Sequence, residues 1–260
     1  MKPMRRFCMK QAALAVALSL MVTSAWAQAP AATATPALDP GAMAALQGMG
    51  AYLRTLKVFQ VDVATTDEDV LENGQKDQYD GVTTILARMP DALRAEQTSE
   101  RRQRLYLYDG KSFTMFAMRS NFYATVPAPA TIGLLDDMLS EKYGFNVPLS
   151  DLFRWGSPSW TADGITAATD FGPGVVEGTT CEQYGFRQAD MDWQIWIQKG
   201  DHPLPRKLVI TTKTDEARPQ HTAVYTWNLA PSFNDKAFTF DPPAEALKVV
   251  LAEIKPVSAK

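Results

Sequence analysis

The sequence predicts a mainly antiparallel α+β chain, in which a curled sheet of about eleven strands is covered on one face by a few helices. Three observations predict it. Short runs of alternating apolar and polar residues recur from 58 to 229, separated by Gly, Pro, Asn and Asp. Helical spacing is confined to two stretches, 39–56 and 132–155. No linker divides the strands, and so many strands in largely nearest-neighbour order do not stay flat; such a sheet curls or closes.

The first 27 residues have the build of a secretory signal peptide. Lys2, Arg5, Arg6 and Lys10 precede an apolar run at 12–22, and Ala25-Trp26-Ala27 supplies the small residues of a cleavage site. The apolar run is about half the ~20 residues needed to cross a bilayer. Cys8 precedes it and is not placed for acylation. Residues 28–38, rich in Ala, Pro and Thr, are expected to be a disordered leader. The expected organisation is therefore a signal peptide at 1–27, a leader at 28–38 and a single domain at 39–260, exported to the periplasm.

Asp39-Pro40 starts the first helix, because Asp caps free amides and Pro fits the first turn. Met43, Leu46, Leu53 and Leu56 then share a face, and Gly48 and Gly50 either weaken the helix or admit a close neighbour. At 58 the period becomes two: Phe59, Val61 and Val63 alternate with Gln60, Asp62 and Ala64. Glu72-Asn73-Gly74-Gln75 predicts a hairpin turn, since Asn-Gly tolerates positive φ. Strands follow at 79–88, 93–98, 102–108, 112–117 and 122–126. A helix carries Ile132, Leu135, Met138 and Leu139 and stops at Gly144, and a short second helix covers 148–155. Further strands are predicted at 165–171, 175–176, 180–188, 192–198, 206–213 and 220–229, with Gly172-Pro173-Gly174 as a turn.

Charge and cysteine count exclude several functions. Removing the four leader bases from 26 Lys+Arg leaves 22 against 29 Asp+Glu, a net −7. A negative exported chain is a poor partner for nucleic acid, which requires a positive field. Cys181 stands alone after cleavage, so no intramolecular disulfide forms, and stability must come from an apolar core. In its strand it is expected to be a small buried hydrophobe.

Several separated motifs carry a resemblance. Residues 192–213 form a long hairpin with a Gly200-Asp201-His202-Pro203 turn; Tyr108-Asp109-Gly110-Lys111, Tyr143-Gly144 before Pro148-Leu149, and the run from Phe238 to Pro243 accompany it. Together they resemble a family of predicted bacterial periplasmic proteins of undetermined function. That family is similar to the lipoprotein-carrier superfamily of LolA, LolB and the mycobacterial lipid carriers. The resemblance implies an open half-barrel with helices lying on its concave face. A shared fold does not transfer activity.

A hydrolase needs a nucleophile, a base and an orienting acid. The two histidines do not suggest one: His202, in a hairpin tip, is expected to be solvated, and His221 to be a surface residue. The adjacent acids Asp136-Asp137 and Asp67-Glu68-Asp69 are expected to face water. No Gly-x-Ser-x-Gly or His-Glu-x-x-His run is present, and one Cys cannot build a multi-Cys zinc site. No catalytic residue, metal or cofactor is predicted. The aromatic and Met content instead suggests the wall of a cavity for a greasy ligand. Its expected lining on strands is Phe113, Met115, Trp193, Ile195, Ile197, Tyr225 and Trp227; from the helices come Met138, Leu139 and Phe153. The expected role is carrying an apolar ligand, a lipid or the acyl chain of an acylated protein, without catalysis and without integration in the membrane. The alternative is an interaction module that docks another envelope protein through its sheet edge or helical lid; an unrecognised hydrolase is the third reading.

Overall fold

The sheet is organised around one long strand, Val58–Val70 (β1), where two antiparallel meanders meet. On one side follow Lys76–Arg88 (β2), Ala92–Ser99 (β3), Gln103–Tyr108 (β4), Ser112–Ala117 (β5) and Phe122–Pro127 (β6). On the other, the chain returns through Ala167–Val176 (β7), Thr179–Arg187 (β8), Met191–Gln198 (β9), Pro205–Thr212 (β10) and Gln220–Asn228 (β11). Pairing of β11 with β1 sets the order β6-β5-β4-β3-β2-β1-β11-β10-β9-β8-β7. The structure is a computed structural model that describes residues 37–254; the signal-peptide reading and nearly all of the leader reading lie outside the described residues.

The result is an open, curled sheet of twelve strands rather than about eleven. The additional strand, Leu247–Lys248 (β12), pairs in parallel with β6 at the edge. Two residues carry no alternation, so no period could announce it. Residues 167–176 are one strand, not two flanking a turn. Gly172, at φ +88, absorbs a bulge between Asp170 and Gly172, and β7 is an edge strand where the missing Pro173 amide breaks no ladder. The end of the leader is also structured: Leu38 bridges Ala168 on the open edge of β7.

Three helices lie on the concave side. Pro40–Thr55 (α1) begins where Asp39 accepts from the Ala42 amide at 2.9 Å, and it buries Leu46, Met49 and Leu53 against Phe59, Val61 and Val63 of β1. Each such side chain contributes roughly 1.5–3 kcal/mol when fully buried. Ile132–Tyr143 (α2) is capped by Thr131 and stopped by Gly144, whose left-handed φ of 73° suits glycine. Asp151–Arg154 (α3) is a single turn.

The outer face is covered in part as well. After β11 the chain crosses the outside of the first meander: Phe238 packs on Leu86 and Ala92, and the Phe240 ring lies 5.5 Å from Phe116 and 5.0 Å from Tyr123. Cys181 projects to this outer side of β8, opposite Phe186, and is buried there. Burial pushes its thiol up, which disfavours the reactive thiolate.

Candidate functional site: a two-armed cavity under the third helix

One face of β1 presents Phe59, Val61, Val63, Thr65 and Asp67 in turn, and halfway along it changes from apolar to polar. The neighbours of Thr65 across the ladder are Gly81 and Ala223. Three small residues in one transverse row leave a hollow in the concave face. The next row outward contains Asp67, His221, Ile210 and Trp193, each paired with the one beside it. The segment around α3 spans this hollow.

Two compartments result, sharing Asp151, Leu208 and Ile210 in their walls. The polar arm, about 220 Å³, is lined by Thr65, Asp67, Thr83, Gln97, His221 and Tyr225, with residues 148–152 of the α3 segment above. The other arm, about 290 Å³, is lined chiefly by Trp155, Trp160, Ile165, Met191 and Trp193. Together they fall in the roughly 300–1,000 Å³ range of small-molecule sites.

A single helical turn has little stability of its own, and its neighbours hold α3 in place. The Arg54 guanidinium of α1 donates to the Phe153 carbonyl at 2.7 Å and to the Leu152 carbonyl. On α2, Asp136 is only 1% exposed and accepts from Asn146 Nδ2 and the Val147 amide, both at 3.0 Å, and from Arg154 Nε at 2.7 Å. The expectation that Asp136 faces water is therefore corrected. A buried carboxylate is tolerated when charge-assisted hydrogen bonds surround it, and only the folded chain brings these donors together.

Asp67 and His221 keep about a third of their side chains exposed, and both line the polar arm. His221 Nδ1 lies 2.6 Å from Asp67 Oδ1. A carboxylate can only accept, so Nδ1 carries the proton. Partial burial pushes the Asp67 carboxyl up, but the bond from His221 and its charge, with help from Thr65 and Arg102, outweigh this and hold it below the usual range. Asp151 behaves oppositely. It is reachable by solvent yet surrounded by protein, and poor hydration pushes its carboxyl up. Desolvation drives the Tyr225 hydroxyl far above its ordinary value. His202 is exposed as expected, with Nδ1 2.6 Å from the Tyr52 hydroxyl. Among the described residues, no cluster of three or more His, Cys, Asp or Glu is placed to hold a metal.

Of the residues expected to line a cavity, Trp193 is in the tryptophan arm and Tyr225 in the polar arm. Phe113, Leu139, Phe153, Ile195 and Ile197 are buried in the packed core, and Met115, Met138 and Trp227 lie partly buried against it. None of these eight lines either arm. Sequence reading missed Asp67, Asp151, Trp160 and His221 as neighbours. The one available signal was the turn from Val63 to Thr65 and Asp67 on the inward face of β1.

Residues 42–252 match a family described as a predicted periplasmic protein, DUF2092. The chain belongs to this family. No curated protein matches this DUF2092 member. Among solved structures it is similar to an uncharacterized conserved protein from Thermus thermophilus, at 11% identity over 81% of this chain and 99% of that one, TM-score 0.48. It is also similar to LprF from Mycobacterium bovis, at 14% identity over 82% and 99%, TM-score 0.43. A third likeness is a LolA superfamily protein from Nitrosomonas europaea, at 12% identity over 76% and 97%, TM-score 0.37. Among the described residues of this DUF2092 chain, no helix is long and apolar enough to cross a membrane.

Proposed function

We propose that this periplasmic-family chain binds and carries an amphiphilic ligand in the two-armed cavity, without transforming it. The observation that carries the reading is the convergence of Trp155 and Trp160, from the α3 segment, with Trp193 of β9 on one space of about 290 Å³ beside a polar compartment. Flat indoles and Met191 suit an acyl chain, which offers area but no direction for hydrogen bonding. The polar arm suits the head of the same molecule. Export through cleavage after Ala27 belongs to this reading, as does a single folded domain beyond residue 38.

The test is direct. Protein purified from a periplasmic extract is denatured, and the released small molecules are identified by mass spectrometry. The purified protein is also titrated with 10-bromo-1-decanol, whose bromine quenches indole emission on contact. The reading predicts a recovered amphiphile and saturable quenching that Trp193→Ala reduces. An extract free of amphiphile, together with no saturable quenching, overturns it.

A further inference from the structure

Asp67 and His221 pair across β1 and β11, and both line the polar arm. The 2.6 Å bond between Asp67 Oδ1 and His221 Nδ1 does more than join two strands. It holds the single proton of a neutral imidazole on Nδ1, because a carboxylate can only accept, and so leaves Nε2 as a bare lone pair. Nε2 has no hydrogen-bond partner among the described residues, and it is not sealed off. The one buried side-chain nitrogen or oxygen without a partner there is Arg54 Nε. Nε2 is thus an open acceptor of fixed sense on the concave face.

The rest of the arm narrows what it can accept from. Besides the imidazole, the ionisable acids in the wall are Asp67 and Asp151, and among the described residues no Lys or Arg lines it. An anionic head would meet like charge with no cation to receive it. Ser150 lies in the segment above, and its hydroxyl makes no bond to the helical turn that follows. That hydroxyl is free to donate. An alcohol matches both groups, since its O–H donates and its oxygen accepts. An ammonium has no acceptor for Ser150, and an ether has no donor for Nε2.

We propose that His221 Nε2, kept as an acceptor by Asp67, recognises the hydroxyl of an uncharged alcohol head, with the attached chain in the tryptophan arm. This rests on the binding reading above and adds the class of the head group. His221 becomes the residue that sets head-group specificity, and Asp67 the residue that positions its proton.

Tryptophan fluorescence titrations of the purified protein test it, in mildly alkaline buffer where imidazole is neutral. The probes are 1-decanol, 1-methoxydecane and decanoate, each below its solubility limit. The ether keeps the chain and the oxygen but has no proton to donate. Decanol should bind about tenfold or more tighter than the ether, a difference of ~1.4 kcal/mol, and tighter than decanoate. Asp67→Asn keeps the ring and its space but offers Nδ1 a donor as well as an acceptor. The tautomer is then no longer fixed, and the preference for decanol over the ether should fall about threefold or more. Asp67→Leu combined with His221→Phe should abolish the preference and leave ether affinity within about twofold. The two are replaced together because a bared Asp67 would itself accept from the alcohol. A preference undiminished in either variant, or decanoate binding as tightly as decanol, overturns the assignment. Failure of all three probes to bind the parent protein overturns the binding reading as well. Circular dichroism melts of both variants confirm that folded protein is being compared.

Discussion

Gly50 of α1 and Gly156, just after α3, touch backbone to backbone. A Cβ on Gly50 would lie 2.7 Å from the Gly156 amide nitrogen, and one on Gly156 would meet the Gly50 carbonyl group. This contact, with the Arg54 bonds to the α3 carbonyls, fixes the roof of the cavity to α1.

The glycines of α1 therefore separate two effects. Gly48 has nothing within 4 Å of a Cβ, so Gly48→Ala should stabilise by roughly 0.5–1 kcal/mol through helix propensity. Gly50→Ala gains the same propensity but forces α1 and the α3 segment apart, and should destabilise by about 1–3 kcal/mol. Gly156→Ala adds the strain of φ +70 and should be worse than Gly50→Ala. Urea unfolding of the three variants checks the order.

Asp136 should be the costliest acidic residue to remove. Asp136→Ala leaves Asn146 Nδ2 and the Val147 amide without their acceptor, while Arg154 keeps Asp137 and solvent, with an expected loss of about 1–3 kcal/mol. Asp136→Asn keeps the shape but loses the charge, and should fall between. Asp137, half exposed on the same helix, should matter by less than about 1 kcal/mol. Thermal denaturation of the three distinguishes a buried bridge from a surface one.

Asp67 and Asp151 should give opposite pH signatures. The folded value of Asp67 lies below its ordinary 3.8, so its stabilising contribution is present above that pH and lost as pH falls through the lowered value. The folded value of Asp151 lies above 3.8, so its contribution is present below 3.8 and lost as pH rises through the raised value. Asp151→Asn should thus melt higher than the parent protein at pH 7, and the gap should close below about pH 3.8. Asp67→Asn should melt lower at pH 7, and its gap should close only in stronger acid. Melting curves from pH 3 to 7 test both signs.

Trp193 and Trp196 are three positions apart and face opposite sides of β9. Trp193 stacks on Phe186 with ring centroids 4.3 Å apart and donates to Gln188 at 3.1 Å. Trp196 lies on the outer face, under Lys207 at 4.9 Å and beside Gly174. Trp193→Ala should cost toward the low end of the roughly 3–5 kcal/mol typical of buried Trp, because one side already opens on a cavity. Trp196→Ala should cost about 1 kcal/mol. Thermal melts of the pair provide the check, and a larger loss at Trp196 would reverse the assignment of faces.

Local pattern carried most of the fold. The period of two along β1, β5 and β9 placed their inward faces. Asp39 and Gly144 marked helix ends, and Asn73-Gly74 turned the first hairpin, because these features depend on residues within a few positions of one another. The two-residue β12, the bulge through Gly172-Pro173 and the crossing of Phe238 and Phe240 over the outer face were not legible, since each is set by a partner distant in sequence.

The sequence by itself determined an inward apolar surface, its curl and its helical cover, because apolar burial follows period and composition. Only the tertiary structure decided where that surface fails to close. Gly81, Thr65 and Ala223 become one row of small side chains through registers 16 and 158 residues apart in the chain. The same folding brings Asp67 to His221 across β1 and β11 and sets Asp151 above them. Cavities and charge pairs arise from differences between neighbours in space, and those neighbours do not exist until the two meanders are joined.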